Sequence, residues 1–90
     1  MIIKEVNGRQ FELYTSTCFR GYLEIHIYEV VRPKWKIFRS KYQDTRTIDV
    51  DEWDDLNEAC NEMLKRFLIQ EAQEKAREEK IKNFKKSIDK

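Results

Sequence analysis

The chain has 90 residues, of which 40% are hydrophobic and 39% charged; that is enough apolar material for one compact core and too little for a second. Eighteen Lys+Arg against 17 Asp+Glu leave a formal charge of +1, so no global field points to nucleic acid or a membrane surface. Two Gly, one Pro and 12% aromatic residues exclude collagen-like and Pro/Gly-rich disordered classes.

The first residues, Met1-Ile2-Ile3-Lys4-Glu5-Val6, break any apolar run too early for a secretory signal. Nothing in the chain approaches the roughly 20 apolar residues of a membrane span. The expectation is a cytoplasmic protein with no membrane partner and with free thiols at Cys18 and Cys60. Asn7-Gly8 is the strongest local signal, because both positions of a type I′ turn need positive φ. It predicts a hairpin of Ile2–Val6 with Arg9–Thr15, pairing Val6 with Arg9, Lys4 with Phe11 and Ile2 with Leu13. These residues share the apolar face, while Ile3, Glu5, Gln10, Glu12 and Tyr14 share a mixed one.

After Arg20-Gly21, residues 22–31 alternate cleanly: Leu23, Ile25, Ile27 and Val31 on one side, Tyr22, Glu24, His26 and Tyr28 on the other. Arg32-Pro33 reads as a turn. A fourth strand is expected from Trp35 to Tyr42. Its facing is open: Phe38 meets Ile25 and Ile27 if the loop has two residues, and Trp35 and Ile37 meet them if it has three. Thr47–Val50 is either a fifth, edge strand or the lead into a helix. Asp51 is the expected helix N-cap, and Glu52, Asp54 and Asp55 suit the positive end of the helix dipole.

From there to about Lys86 no Gly or Pro interrupts. Trp53, Leu56, Cys60, Met63 and Phe67 recur at 3-4-3-4 spacing along one helical stripe. Some 35 helical residues would span about 50 Å, whereas a strand of about eight residues covers only ~26 Å. The same phase turns polar at Gln70, Glu74 and Arg77 and apolar again at Ile81, Phe84 and Ile88. The distal half is therefore a projecting helix with a contact tip, a kinked second helix, or a solvated tail. The predicted class is α+β, an antiparallel meander of four or five strands packed on one long C-terminal helix. Its domain spans 1–70, with a charged extension at 71–90. Ile2, Val6, Phe11, Leu13, Leu23, Ile25, Ile27, Leu56, Cys60, Met63 and Phe67 are the expected core.

Chemical motifs are few. Gly8 and Gly21 cannot make a nucleotide loop. His26, the single histidine, has no companions at zinc-ligand spacing. The 49–55 acidic run lacks the central Gly of a calcium loop. No catalytic, cofactor or metal site is expected, and the chain reads as a non-enzyme. The basic-aromatic stretch 32–42 is the best lead, with Lys34, Trp35, Lys36, Arg39 and Lys41 joined by Tyr22, His26 and Tyr28 on the outer face. Interleaved cations and rings suit phosphate contact with base stacking, and equally a protein interface or a charge-guarded edge strand.

A short antiparallel sheet followed by a helix, over roughly residues 22–68, resembles in topology the arm-type DNA-binding domains of phage integrases. That resemblance implies a sheet face entering the major groove. The short, charged, motif-free chain also resembles the accessory proteins of phages and mobile elements, which act by binding a host protein. The leading expectation is a small module acting through protein contact, the alternative a nucleic-acid-binding module using 32–42. Ile81, Phe84 and Ile88 are the expected self-association site of a homodimer.

Overall fold

The computed structural model describes residues 1–31 and 39–88. The fold is α+β: four strands, β1 (Ile2–Val6), β2 (Arg9–Phe19), β3 (Tyr22–Val31) and β4 (Arg39–Asp49), form an antiparallel sheet in the order β1-β2-β3-β4. A short 3₁₀ turn, Val50–Glu52, leads to the helix α1 (Leu56–Ile88).

The first hairpin forms in the expected register, Val6 opposite Arg9, Lys4 opposite Phe11 and Ile2 opposite Leu13. Asn7 at φ 51° and Gly8 at φ 78° supply the two positive values that the turn needs. β2 runs past the predicted end at Thr15, so Cys18 lies within a strand and not in a loop. It is the extra residue where the β2–β3 register shifts between Thr17 and Phe19.

The fourth strand departs from expectation. It runs Arg39–Asp49 and places Arg46 opposite Ile25 and Asp44 opposite Ile27. Thr47–Asp49 is its last part and no separate fifth strand. The expected turn at Arg32-Pro33, and Lys34, Trp35, Lys36, Ile37 and Phe38, lie outside the described residues. A second irregularity falls where Ile27 faces Asp44 but Tyr28 faces Tyr42, leaving Gln43 unpaired.

Ten buried residues form the core: Phe11, Leu13, Ile25, Ile27 and Ile48 from the sheet, Ala59, Cys60, Met63, Leu64 and Phe67 from the helix. Ile2, Val6 and Leu23 pack on it half-buried. Leu56 is the exception to the expected core, at 39% exposure, because the helix starts four residues late. Asp49 Oδ1 accepts the Asp51 N–H (3.0 Å) and closes the 3₁₀ turn. Asp55, not Asp51, then caps α1, its Oδ1 accepting the Asn57 N–H (3.2 Å) and its carbonyl the Ala59 N–H (3.1 Å). Leu56 thus sits on the first turn, at the edge of the packed stripe.

Past Phe67 the helix continues without a break, so the kinked reading fails. Its 33 residues span about 50 Å, and the molecule measures 55 Å along its long axis. Ile81 and Phe84 stand exposed at 50% and 67%.

Candidate binding surface

Directly opposed residues of paired strands share a face, so the register assigns the face of each paired strand residue. The inner face carries the core and, around it, polar contacts to α1. Lys4 Nζ donates to Asn57 Oδ1 (2.6 Å), and Arg46 Nη2 donates to Gln70 Oε1 (2.5 Å). Arg9 donates to both oxygens of Glu29 on β3 and both of Glu71 on α1, at 2.6–3.1 Å. Its guanidinium also lies 5.1 Å from the Phe11 ring centroid. These bonds hold the carboxyls of Glu29 and Glu71 below their ordinary range and raise Arg9 further above its own.

The outer face is aromatic. Tyr14, Tyr28 and Tyr42 stand side by side on three adjacent strands, their rings meeting edge to face at 5.5 and 5.6 Å. Tyr14 donates its hydroxyl to Glu12 Oε2 (2.5 Å), which pushes its pKa up. Ser40 donates to Glu12 Oε1 (3.3 Å). Beside the row, His26 is fixed from both ring nitrogens: Nε2 lies 3.0 Å from Ser16 Oγ and 3.3 Å from Glu24 Oε2, and Nδ1 lies 3.1 Å from Thr45 Oγ1. Tyr42 Oη meets the same Thr45 Oγ1 at 2.6 Å. Tyr14, His26, Tyr28 and Ser40 line a shallow depression.

A serine–histidine contact is one element of a nucleophile, which also needs a group that orients the base. Thr45, the group that orients the imidazole, is neutral and shared with Tyr42. The pair lies on an open sheet face where water competes. The two thiols do not add one: partial burial raises Cys18, full burial raises Cys60, and both are free. Among the described residues no group of three or more His, Cys, Asp or Glu is placed to hold a metal ion. None of the described helices is long and apolar enough to cross a membrane.

The predicted site residues separate. His26 and Tyr28 share the tyrosine face. Tyr22 lies at the start of β3, 6.3 Å from Phe19. Arg39 and Lys41 face Val31 and Glu29, which puts them on the helix side of the sheet, opposite from His26 and Tyr28. The unpaired Gln43 is the reason: an extra residue shifts β4 by one and inverts the faces on either side of it. Among the described residues, no Lys or Arg in a strand lies on the tyrosine face; Lys4, Arg9, Arg39, Lys41 and Arg46 all share the other. Tyr42, Thr45 and Ser16 were not singled out by sequence. Alternation already grouped Tyr14 with Glu12, but Tyr42 needed the bulge to be known.

No family model, curated protein or solved structure matches this chain.

Proposed function

We propose that the chain is a small non-enzymatic binding module that contacts a protein partner through the outer face of its sheet. The observation that carries this reading is the row Tyr14–Tyr28–Tyr42 beside a fixed His26. Tyrosines offer large, rigid, amphipathic contact area at little entropic cost and are enriched in interfaces. His26, Thr45 and Ser16 supply hydrogen-bonding groups among the rings.

The nucleic-acid alternative needs cations beside the stacking rings. Among the described residues, which do not include Lys34, Trp35 and Lys36, Glu12 and Glu24 occupy that face instead, and Arg39 and Lys41 lie on the other. The integrase-like use of the sheet face is disfavoured for the same reason. The role of a phage or mobile-element accessory protein fits a protein-binding module and has no separate support. Ile81 and Phe84 form an accessory apolar patch on the distal helix. With Ile88, whose side chain lies outside the described residues, they are the expected self-association site, and three side chains alone fall short of the ~1,000 Å² that a stable interface requires.

The test is parallel affinity capture from the source cell by the native chain and by Tyr28→Ala. A stoichiometric protein retained by the first and lost from the second is the expected result. Retention of nucleic acid instead, falling steeply with salt, would replace this reading with its rival.

A further inference from the structure

The two faces of the sheet divide the charge between them. Among the described strand residues, Lys4, Arg9, Arg39, Lys41 and Arg46 lie on the helix side, joined by Glu29 and Asp44. The outer face carries Glu5, Glu12, Glu24 and Asp49 and no cation. Arg20, in the turn between β2 and β3, stands six residues beyond Tyr14, about 20 Å at the rise of a strand. A chain of net charge +1 thus presents an anionic surface on the side that its helix does not cover.

Within that surface the rings make corners and not a stack. Tyr28 meets Tyr14 at an interplanar angle of 87° and Tyr42 at 69°. Tyr14 is 39% exposed and Tyr42 53%, so ring surface is open to a ligand. The depression lined by Tyr14, His26, Tyr28 and Ser40 holds about 390 Å³, room for one long side chain and not for a folded element. Two of its four walls, Tyr14 and Ser40, donate their hydroxyls to Glu12, at 2.5 and 3.3 Å. Both donors are neutral, so the carboxylate at the rim keeps its charge. Among the described residues no ion pair engages it.

We infer that this depression holds an arginine side chain of the protein partner. Tyrosine rings attract a cation, and a carboxylate beside them adds to the attraction. A planar guanidinium can lie on a ring while its N–H groups reach the rim carboxylate, whereas an ammonium is a strongly hydrated point charge. The four carboxylates of the face steer a basic segment toward it and repel an acidic one. The inference rests on the outer face being a protein-binding surface, and adds the chemistry of what docks there.

The test uses three acetylated, amidated octapeptides in which glycine alternates with arginine, lysine or glutamate. Each is titrated into the native chain at about 0.15 M salt, where distant charges are screened, and followed by NMR of the tyrosine rings. The arginine peptide should shift Tyr14 and Tyr28 saturably, the lysine peptide should bind at least twofold more weakly, and the glutamate peptide should shift nothing. Tyr14→Leu and Glu12→Gln should each weaken binding at least threefold while far-UV circular dichroism stays native. Should Tyr14→Leu fail to fold, Tyr42→Leu removes the neighbouring exposed ring and must weaken binding in the same way. Glu52→Gln/Asp54→Asn, in the acidic run outside the sheet, should bind like the native chain. Equal affinity for arginine and lysine, binding that survives loss of the ring and the carboxylate, or binding lost only in the Glu52/Asp54 variant would each overturn the assignment. No peptide binding, with a partner still captured through Tyr28, overturns the arginine site alone; no captured partner overturns the binding surface on which it rests.

Discussion

Arg9 and Glu71, separated by 62 positions in the chain, are joined by two hydrogen bonds of 2.6 and 3.1 Å. The same guanidinium holds Glu29 through two more. One side chain from the second strand thus ties the third strand to the helix, at the point where the helix leaves the sheet. Glu71 also stands four residues before Lys75 on the helix, a spacing that suits an ion pair; the bidentate fork of an arginine outcompetes an exposed ammonium.

Replacing Arg9 should therefore loosen the helix where it departs. Arg9→Met removes the bonds and leaves Glu29, the more buried carboxylate, without them. The site is partly screened by solvent, so the cost should be about 1–2 kcal/mol. Arg9→Lys should recover only part of it, because an ammonium cannot fork to two carboxylates. Urea midpoints of the three proteins decide this.

Acid should act through the same group. Arg9 depresses the folded-state pKa of both Glu29 and Glu71, and unfolded glutamates titrate near about 4.3. The stabilisation is complete above that value and is lost as pH falls through the lower folded values. Stability of the native chain should drop between neutral and strongly acidic pH, and that of Arg9→Met should drop less. Equal slopes would remove the arginine as the cause.

The core stripe predicts unequal costs for two helix residues that sequence periodicity treats alike. Phe67, buried and edge-on to Phe11 at 6.4 Å, should cost about 3–5 kcal/mol on truncation to alanine. Leu56, at 39% exposure, should cost under about 1 kcal/mol. Chemical denaturation separates them.

One tyrosine should stand out in an ultraviolet titration. Tyr14, bonded to Glu12, should lose its proton at higher pH than ordinary tyrosines. Glu12→Gln should bring that step down, and Tyr14→Phe should delete it.

The distal helix should be energetically detached. Ile81→Asp/Phe84→Asp should leave the urea midpoint unchanged, and hydrogen exchange should be fast beyond Glu71 and slow from Ala59 to Phe67. Protection extending to Phe84 in dilute solution would mean that the segment is packed.

Local chemistry made part of this architecture readable in advance. Asn7-Gly8 specifies its hairpin within four residues, and the alternation of residues 22–28 assigns its own faces. The helix start was not readable in the same way, because Asp49, Asp51, Asp54 and Asp55 are all competent caps and only the chain's exit from β4 chooses among them. Ile48 escaped the predicted core because its burial follows from a register with Leu23, which the Gln43 bulge displaces. That bulge also decides which side of the sheet holds the cations, and no local residue preference announces it. The tyrosine row depends on three strands at once, so it became visible only when all three were aligned.

The strand order has a consequence for biosynthesis. Each strand pairs with its neighbour in sequence, so every ladder closes over a short connection and can form as the chain leaves the ribosome. The helix segment that covers Phe11, Leu13, Ile25 and Ile27 follows the complete sheet. A nascent chain paused after β4 would present an oily slab with nothing over it, which makes that stage the natural moment for chaperone engagement and the most hazardous one for aggregation.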